Sequence, residues 1–263
     1  MCLILFSYQN NLRYKLILAA NRDEYYERPT ASAQFWDDDP CILAGRDLKG
    51  GGTWLGINRN GKIAAITNYR NPSSNKGQLA PSRGVLVSDF LRNRSSPAEY
   101  CQIISNKAKE YNEFNLLFGD ANDLIYFCSH NKYYKILSSG IYGLSNHMLN
   151  TPWPKVKTGR QALTQVLTQG DKFTTDELFD ILIDRTIPGD DFLPDTGIGL
   201  EWERILSSIF ITSPIYGTRS STILLVDYDN NATLIERSYK PNHPEIFDEF
   251  TIALKLDPKN RHQ

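Results

Sequence analysis

The strand signals in this chain come in hairpin pairs and the helix signals come in blocks. That order restricts the fold more than any composition figure does. Short runs rich in apolar, β-branched and aromatic residues mark strands at Leu3–Tyr8, Tyr14–Ala20, Thr53–Asn58 and Lys62–Asn68. The last two flank Asn58-Arg59-Asn60-Gly61, whose Asn-Gly step is a strong hairpin signal. Helical spacing follows over Ser82–Arg92 and Pro97–Tyr111, the second with Pro97 in its first turn and Tyr100, Ile103, Ile104 and Ala108 on one face. Strands return at Asn115–Gly119, Leu124–Ser129, Tyr133–Leu137 and Ile141–Leu144. Two or three helices come next, among them Thr174–Asp184, opened by Thr174 and Glu177 in capping-box spacing, and Gly199–Phe210. The strands Ser220–Tyr228 and Ala232–Tyr239 close the pattern, and the tail beyond Pro241 carries weak signals. Paired strands with grouped helices predict an α+β fold of antiparallel sheets covered by helices, in one domain over residues 1–263. A four-layer αββα sandwich fits this order, though periodicity alone does not separate it from other α+β folds.

The charge balance excludes some partners. Lys plus Arg is 29 and Asp plus Glu is 30, a formal net charge of −1, so there is no basic footprint for nucleic acid. No apolar run approaches the roughly 20 residues that span a bilayer, so no stable membrane insertion is expected. The opening "MCLILFSYQNN" has neither a basic leader nor a small-residue cleavage site and reads as a strand that starts at once. Cys2, Cys41, Cys101 and Cys128 form no C-x-x-C, so neither a zinc nor any other metal site is expected, and so few cysteines fit a reducing, cytoplasmic setting. Cys101 and Cys128 stand in apolar contexts and read as small core residues.

Cys2 is the residue with most chemical scope. Once an initiator methionine is removed, it carries a thiol and a free α-amino group. An α-amino pKa near 7.7–8.0 leaves a useful neutral fraction, so one residue can supply both nucleophile and base. A nearby guanidinium favours the thiolate. The plain alternative is a small apolar residue opening a buried strand. The second strand runs into Asn21, Arg22, Asp23 and Glu24. Arg22 can hold a carboxylate or oxyanion, and Asp23 or Glu24 can orient the α-amino group; a salt-bridged strand end is the alternative. Gly50, Gly51 and Gly52 ahead of Trp54 can expose backbone N–H groups at a mouth or simply make a turn. Asn68 and Arg70 end another apolar strand, and Asn146 follows a third; such amides can donate to an oxyanion. His147 beside Asn146 reads as a surface histidine. Arg219 and Ser220 open a late strand, without the G-x-S-x-G context of a serine hydrolase.

Taken together, "MCLILF", "ANRDEYYERP", "GGTWLGINRNGKIAAITNYR" and "GTRSSTILL" resemble the NRDE family, also called transport and Golgi organisation 2-like, in order over about residues 1–225. The resemblance implies the N-terminal nucleophile (Ntn) hydrolase architecture of choloylglycine hydrolases and penicillin V acylases. It also implies a site in which Cys2 is the nucleophile, with Arg22, Asn68, Asn146 and Arg219 around it. Those hydrolases use Arg-x-x-Asp, whereas Asp23 adjoins Arg22, a departure that bears on the role of Asp23.

Two readings follow. In the first, the chain is a cysteine amidohydrolase: Cys2, Arg22, Asp23, Asn68, Asn146 and Arg219 do the chemistry, and Glu24, Gly51, Gly52, Trp54 and Arg70 contact a small-molecule amide. No cofactor is required. In the second, the scaffold is a carrier of haem or acyl-CoA. Arg22, Arg70 and Arg219 would then face the acyl-CoA, or His130, His147, His243 or His262 would reach haem, although none of the four stands in a haem motif. A protein with no pocket is a weaker third. Homo-oligomerisation is left open. Convergence of Cys2, Arg22, Asn68, Asn146 and Arg219 on one cleft is the expectation that separates a site from scattered strand ends.

Overall fold

The computed structural model of the chain describes residues 2–74, 76–77, 80–170, 172–241 and 243–257. The strands are β1 (Cys2–Tyr8), β2 (Tyr14–Tyr25), β3 (Thr30–Trp36), β4 (Asp39–Asp47), β5 (Leu55–Asn58), β6 (Lys62–Asn68), β7 (Phe114–Asp120), β8 (Leu124–Cys128), β9 (Tyr133–Ile136), β10 (Gly140–Leu144), β11 (Tyr216–Asp227), β12 (Asn231–Lys240) and β13 (His243–Lys255). The helices are α1 (Gly84–Arg92), α2 (Pro97–Lys107), α3 (Pro154–Leu167), α4 (Thr175–Leu182) and α5 (Leu200–Ile205). One sheet has the order β10-β1-β2-β11-β12-β13 and the other β3-β4-β5-β6-β7-β8-β9. Every pairing in both is antiparallel.

Period-two alternation builds the layers. Ile4, Phe6, Leu16, Leu18 and Ala20 of the first sheet meet Leu43, Ile57, Ile63, Ala65 and Leu117 of the second in a buried core between the sheets. Their neighbours Leu3, Leu5, Ile17 and Ala19 face outward, under Val156 and Leu163 of α3 and Leu178 and Phe179 of α4. On the far side, Ala64, Ile66, Leu116 and Phe118 lie under α1 and α2. The result is the four-layer αββα arrangement. The expected capping box forms, Thr174 with Glu177 at α4, and a second one, Ser96 with Glu99, opens α2. Cys101 and Cys128 are core residues.

Several expectations need correction. The strand expected to stop at Ala20 runs to Tyr25, because Asn21 to Tyr25 remain laddered to β11. Strands β3, β4 and β13 and helix α3 carried no named signal. The last helix ends at Ile205, short of Phe210, and β11 starts at Tyr216, four residues before Ser220.

The triple glycine is a packing device and does not line the mouth. The Asp47 carboxylate accepts from the backbone N–H groups of Lys49 and Gly50, and Gly51 N–H donates to the Asp47 carbonyl. A Cβ on Gly52 would come within 2.3 Å of the Gly84 backbone at the start of α1. We expect Gly52→Ala to lower unfolding stability by about 1–3 kcal/mol, read by urea denaturation, because backbone cannot yield as a side-chain tip does. A wild-type midpoint would contradict the close approach.

Candidate functional site

Cys2 lies at the end of the core between the sheets, because its parity on β1 is that of Ile4 and Phe6. It stands in register with Arg22 on β2. Here the sheets part around a cavity of about 190 Å³ whose walls include Cys2, Arg22, Asp23, Glu24, Trp54 and Asn68. Arg28, Asp47 and Arg83 complete its charged lining.

Each wall residue is held by its own element. Arg22 is 5% exposed, donates from Nη1 to Thr30 Oγ1 at 2.9 Å, and lies over the Trp54 ring at 4.1 Å. Trp54 is pressed in turn against Gly45, where a Cβ would come within 2.3 Å of the indole. Asp23 is fully buried, and its Oδ1 accepts from Thr218 Oγ1 at 2.7 Å. Burial raises the Asp23 carboxyl above the usual carboxylate range, against the lowering pull of Lys155. Adjacency has a consequence here. Consecutive strand residues point to opposite faces, so Arg22 takes the inter-sheet face and Asp23 the face beneath the helices. Asn21, on the same face as Asp23, donates to the carbonyls of Leu182 and Ile209 and so ties β2 to the segments above it.

Asn68 ends β6 with its side chain on the cavity wall, and its amide makes no hydrogen bond to another described residue. Asn146 is fully buried behind it and donates from Nδ2 to the Asn68 carbonyl at 2.8 Å. Ser145 Oγ lies 3.1 Å from the Cys2 carbonyl and 3.2 Å from Asn146 Oδ1. The segment after β10 therefore clamps β1 to β6 across the two sheets. Asn146 lines an adjoining cavity of about 370 Å³, which shares Asn68, Arg83 and Asn112 with the first.

The Cys2 thiol is pushed up from its ordinary value, first by burial, with the Asp23 carboxylate acting in the same direction. The Asp23 backbone N–H and the Arg22 guanidinium pull it down and are outweighed. The expected thiolate activation by a guanidinium is thus present in sign and overruled by desolvation. A half-buried thiol whose pKa is raised needs a base beside it. Met1, whose removal would free the α-amino group, lies outside the described residues, as does His262.

Four expected site residues, Arg219, Arg70, Gly51 and Gly52, do other work. Arg219 does not line the cavity: it falls in a β-bulge between Thr218 and Ser220, and its Nη1 donates to the carbonyls of Tyr25, Tyr26 and Arg28. It props the turn that carries Arg28 to the wall. Arg70 faces the adjoining cavity and pairs with Glu203 at 2.5 Å, with both side chains buried. Gly51 and Gly52 belong to the turn described above. His147 stacks near Tyr69 and Trp153, with Nδ1 2.8 Å from Thr151 Oγ1, and lines neither cavity.

Arg28, Asp47, Arg83 and Lys155 went unseen in the sequence. Arg83 lines both cavities and donates to the Glu113 carbonyl; a loop arginine ahead of a helix gives no signal. Lys155, in the first turn of α3, is 4% exposed, where a helix-start lysine ordinarily reads as solvated. Among the described residues no helix is long and apolar enough to cross a membrane.

Comparison with known proteins places this geometry in context. The sequence profile of the family described as "Transport and Golgi organisation 2" matches residues 1–241. The chain is 37% identical to the Bos taurus transport and Golgi organization protein 2 homolog over 276 residues, covering 97% of this chain and 99% of that one. It is 38% identical to the Homo sapiens homolog over 258 residues, covering 90% and 93% respectively. Among solved structures it is similar to penicillin V acylase from Agrobacterium tumefaciens, with TM-score 0.51 and 13% identity over 99% of this chain and 88% of that one. It is also similar to a variant of conjugated bile acid hydrolase from Clostridium perfringens, with TM-score 0.53 and 11% identity over 100% and 94%. At these identities the two structures speak for the fold.

Proposed function

Because the chain belongs to the transport and Golgi organisation 2 family and has the fold of the Ntn hydrolases, we propose that it is an N-terminal cysteine amidohydrolase acting on the carbon–nitrogen bond of a small-molecule amide. The observation that carries the reading is the gathering of Cys2, Arg22 and Asn68, three of the five residues expected to converge, on the walls of one cavity at the end of the inter-sheet core; Asn146 lines the adjoining cavity and Arg219 lines neither. Scattered strand ends would not produce it.

The chemistry starts after loss of Met1. The neutral α-amino group of Cys2 takes the thiol proton as sulfur attacks the amide carbon. The carbonyl oxygen becomes an oxyanion beside the Asn68 amide, which is the group best placed to donate to it. The C–N bond breaks, the leaving nitrogen takes the proton from the α-amino group, and the amine departs. Water then attacks the thioester carbon, the C–S bond breaks, and carboxylic acid and thiol are released. Arg22, fixed by Thr30 and Trp54, supplies positive charge to the anionic species. The two adjoining cavities give room for the two halves of an amide, with Asn68 and Arg83 on the wall they share.

The test is release of p-nitroaniline from a panel of acyl p-nitroanilides by protein shown by mass to begin at Cys2. Turnover is expected for at least one acyl group, and none from protein that retains Met1, which lacks the base. A folded, Met1-free protein that releases no amine from any of them would overturn the reading and leave a carrier of acyl-CoA or haem as the use of the scaffold.

A further inference from the structure

Helix α3 lies on the outer face of the sheet that holds Cys2. A Cβ on its Gly159 would come within 2.7 Å of the Leu5 side chain, and Val156 packs in the same cluster as Leu3 and Leu5. Lys155 stands one turn before Gly159, in the first turn of α3. Its side chain is almost entirely buried, and Nζ has no hydrogen-bond partner among the described residues. An ammonium in that state is costly unless an opposite charge faces it. Asp23 presents its side chain to the same face of the sheet, beneath the helices, because it adjoins Arg22 on β2. Of the other ions acting on Lys155, Arg70 pairs with Glu203, whose Oε1 also accepts from Thr196.

We propose that Lys155 is the buried counter-charge that keeps Asp23 ionised behind Cys2, and so acts as a positioning residue for the α-amino group. The proposal rests on the hydrolase reading for the use of the carboxylate, and not for its charge. Burial, partly offset by the Asp23 carboxylate, brings the Lys155 ammonium down to about 8, so it is still a cation at neutral pH. Lys155 is the foremost of the groups that oppose the burial-driven rise of Asp23, and Thr218 acts in the same direction. Glu24 acts against them. Facing Lys155 are also Arg70, Cys2 and Glu203, and Tyr216 donates from its hydroxyl to the Asp23 carbonyl. The sign follows. As pH rises through about 8, Lys155 loses its proton and Asp23 loses that counter-charge.

The measurement is carbon-13 NMR of aspartate-labelled protein at pH 7, with the Asp23 carboxyl assigned by Asp23→Asn. The expected result is an ionised Asp23 in the wild type, a protonated one in Lys155→Met, and an ionised one in Lys155→Arg. Loss of packing alone would not move that signal and would not be rescued by arginine. An Asp23 still ionised in Lys155→Met overturns the pairing. On p-nitroanilides, Lys155→Met is expected to lower kcat by about 10²-fold with little change in KM, because the base is misplaced and not the substrate. Unchanged kcat with a protonated Asp23 overturns the positioning role. No turnover by wild type would sink the hydrolase reading, while the NMR result still decides the pairing.

Discussion

Replacing Asn68 with alanine is expected to lower kcat for amide hydrolysis by roughly 10²–10³-fold, the usual cost of removing one oxyanion donor. Asn68 is singled out by geometry. Its amide lies on the wall shared by the two cavities and is not engaged by another described residue, whereas Asn146 already uses one N–H on the Asn68 carbonyl. Because the interaction exists only when the oxygen is charged, kcat should fall with little change in KM. The fold should be indifferent, within about 0.5 kcal/mol, since the side chain supports nothing. Asn146→Ala should behave differently and lose stability too, because its amide clamps β6 to the segment after β10. If Asn68→Ala turns over at the wild-type rate, the oxyanion of this reaction sits elsewhere.

The second large effect is structural. Glu203→Leu is expected to destabilise the protein by about 3–5 kcal/mol, the cost of stripping the partner from a buried ion. Arg70 and Glu203 are 7% and 4% exposed in their side chains and 2.5 Å apart, so water screens the pair little. Glu203 also holds the Thr196 backbone N–H and hydroxyl, which fixes the loop ahead of α5 against the wall of the larger cavity. The double variant Arg70→Met with Glu203→Leu should recover part of the loss, because no lone charge then remains. Urea denaturation of the four proteins reads the cycle. Strict additivity would mean that the pair is not coupled and that the loop, not the ion pair, carries the cost.

How much of this was legible in the sequence depends on what kind of signal each element carries. The hairpin at Asn60-Gly61, the capping box at Thr174 and the apolar runs of β1, β6, β7 and β11 are local, and they point to antiparallel sheets covered by helices. Strand β3 is not local in that sense. Its sequence "TASAQFW" alternates poorly, its pairing with β4 is interrupted twice by irregular register, and only its partner makes it a strand. Strand β13 is largely exposed along its length and so lacks an apolar face to read. Helix α3 is rich in polar residues and contains Gly159, which is there to let the helix approach Leu5. The same logic separates the site residues. Cys2, Arg22, Asn68 and Asn146 sit at the ends of apolar runs, where a polar residue is conspicuous. Arg219 is equally conspicuous, but the bulge turns it toward the backbone of the Tyr25–Arg28 turn. Lys155 and Arg83 look like ordinary charged residues at helix starts, and only the packing of α3 on β1 and of α1 on Gly52 draws them inward.

In the proposed reaction Cys2 forms a covalent acyl intermediate in this cavity. The direct measurement is the mass of the N-terminal peptide of Met1-free protein, acid-quenched during turnover of an acyl p-nitroanilide. The expected result is the mass of one acyl group on the peptide that begins at Cys2, absent from Cys2→Ala and lost on treatment with hydroxylamine, as a thioester requires. Amine release with no acyl group on Cys2, or with the acyl group on another residue, would contradict it.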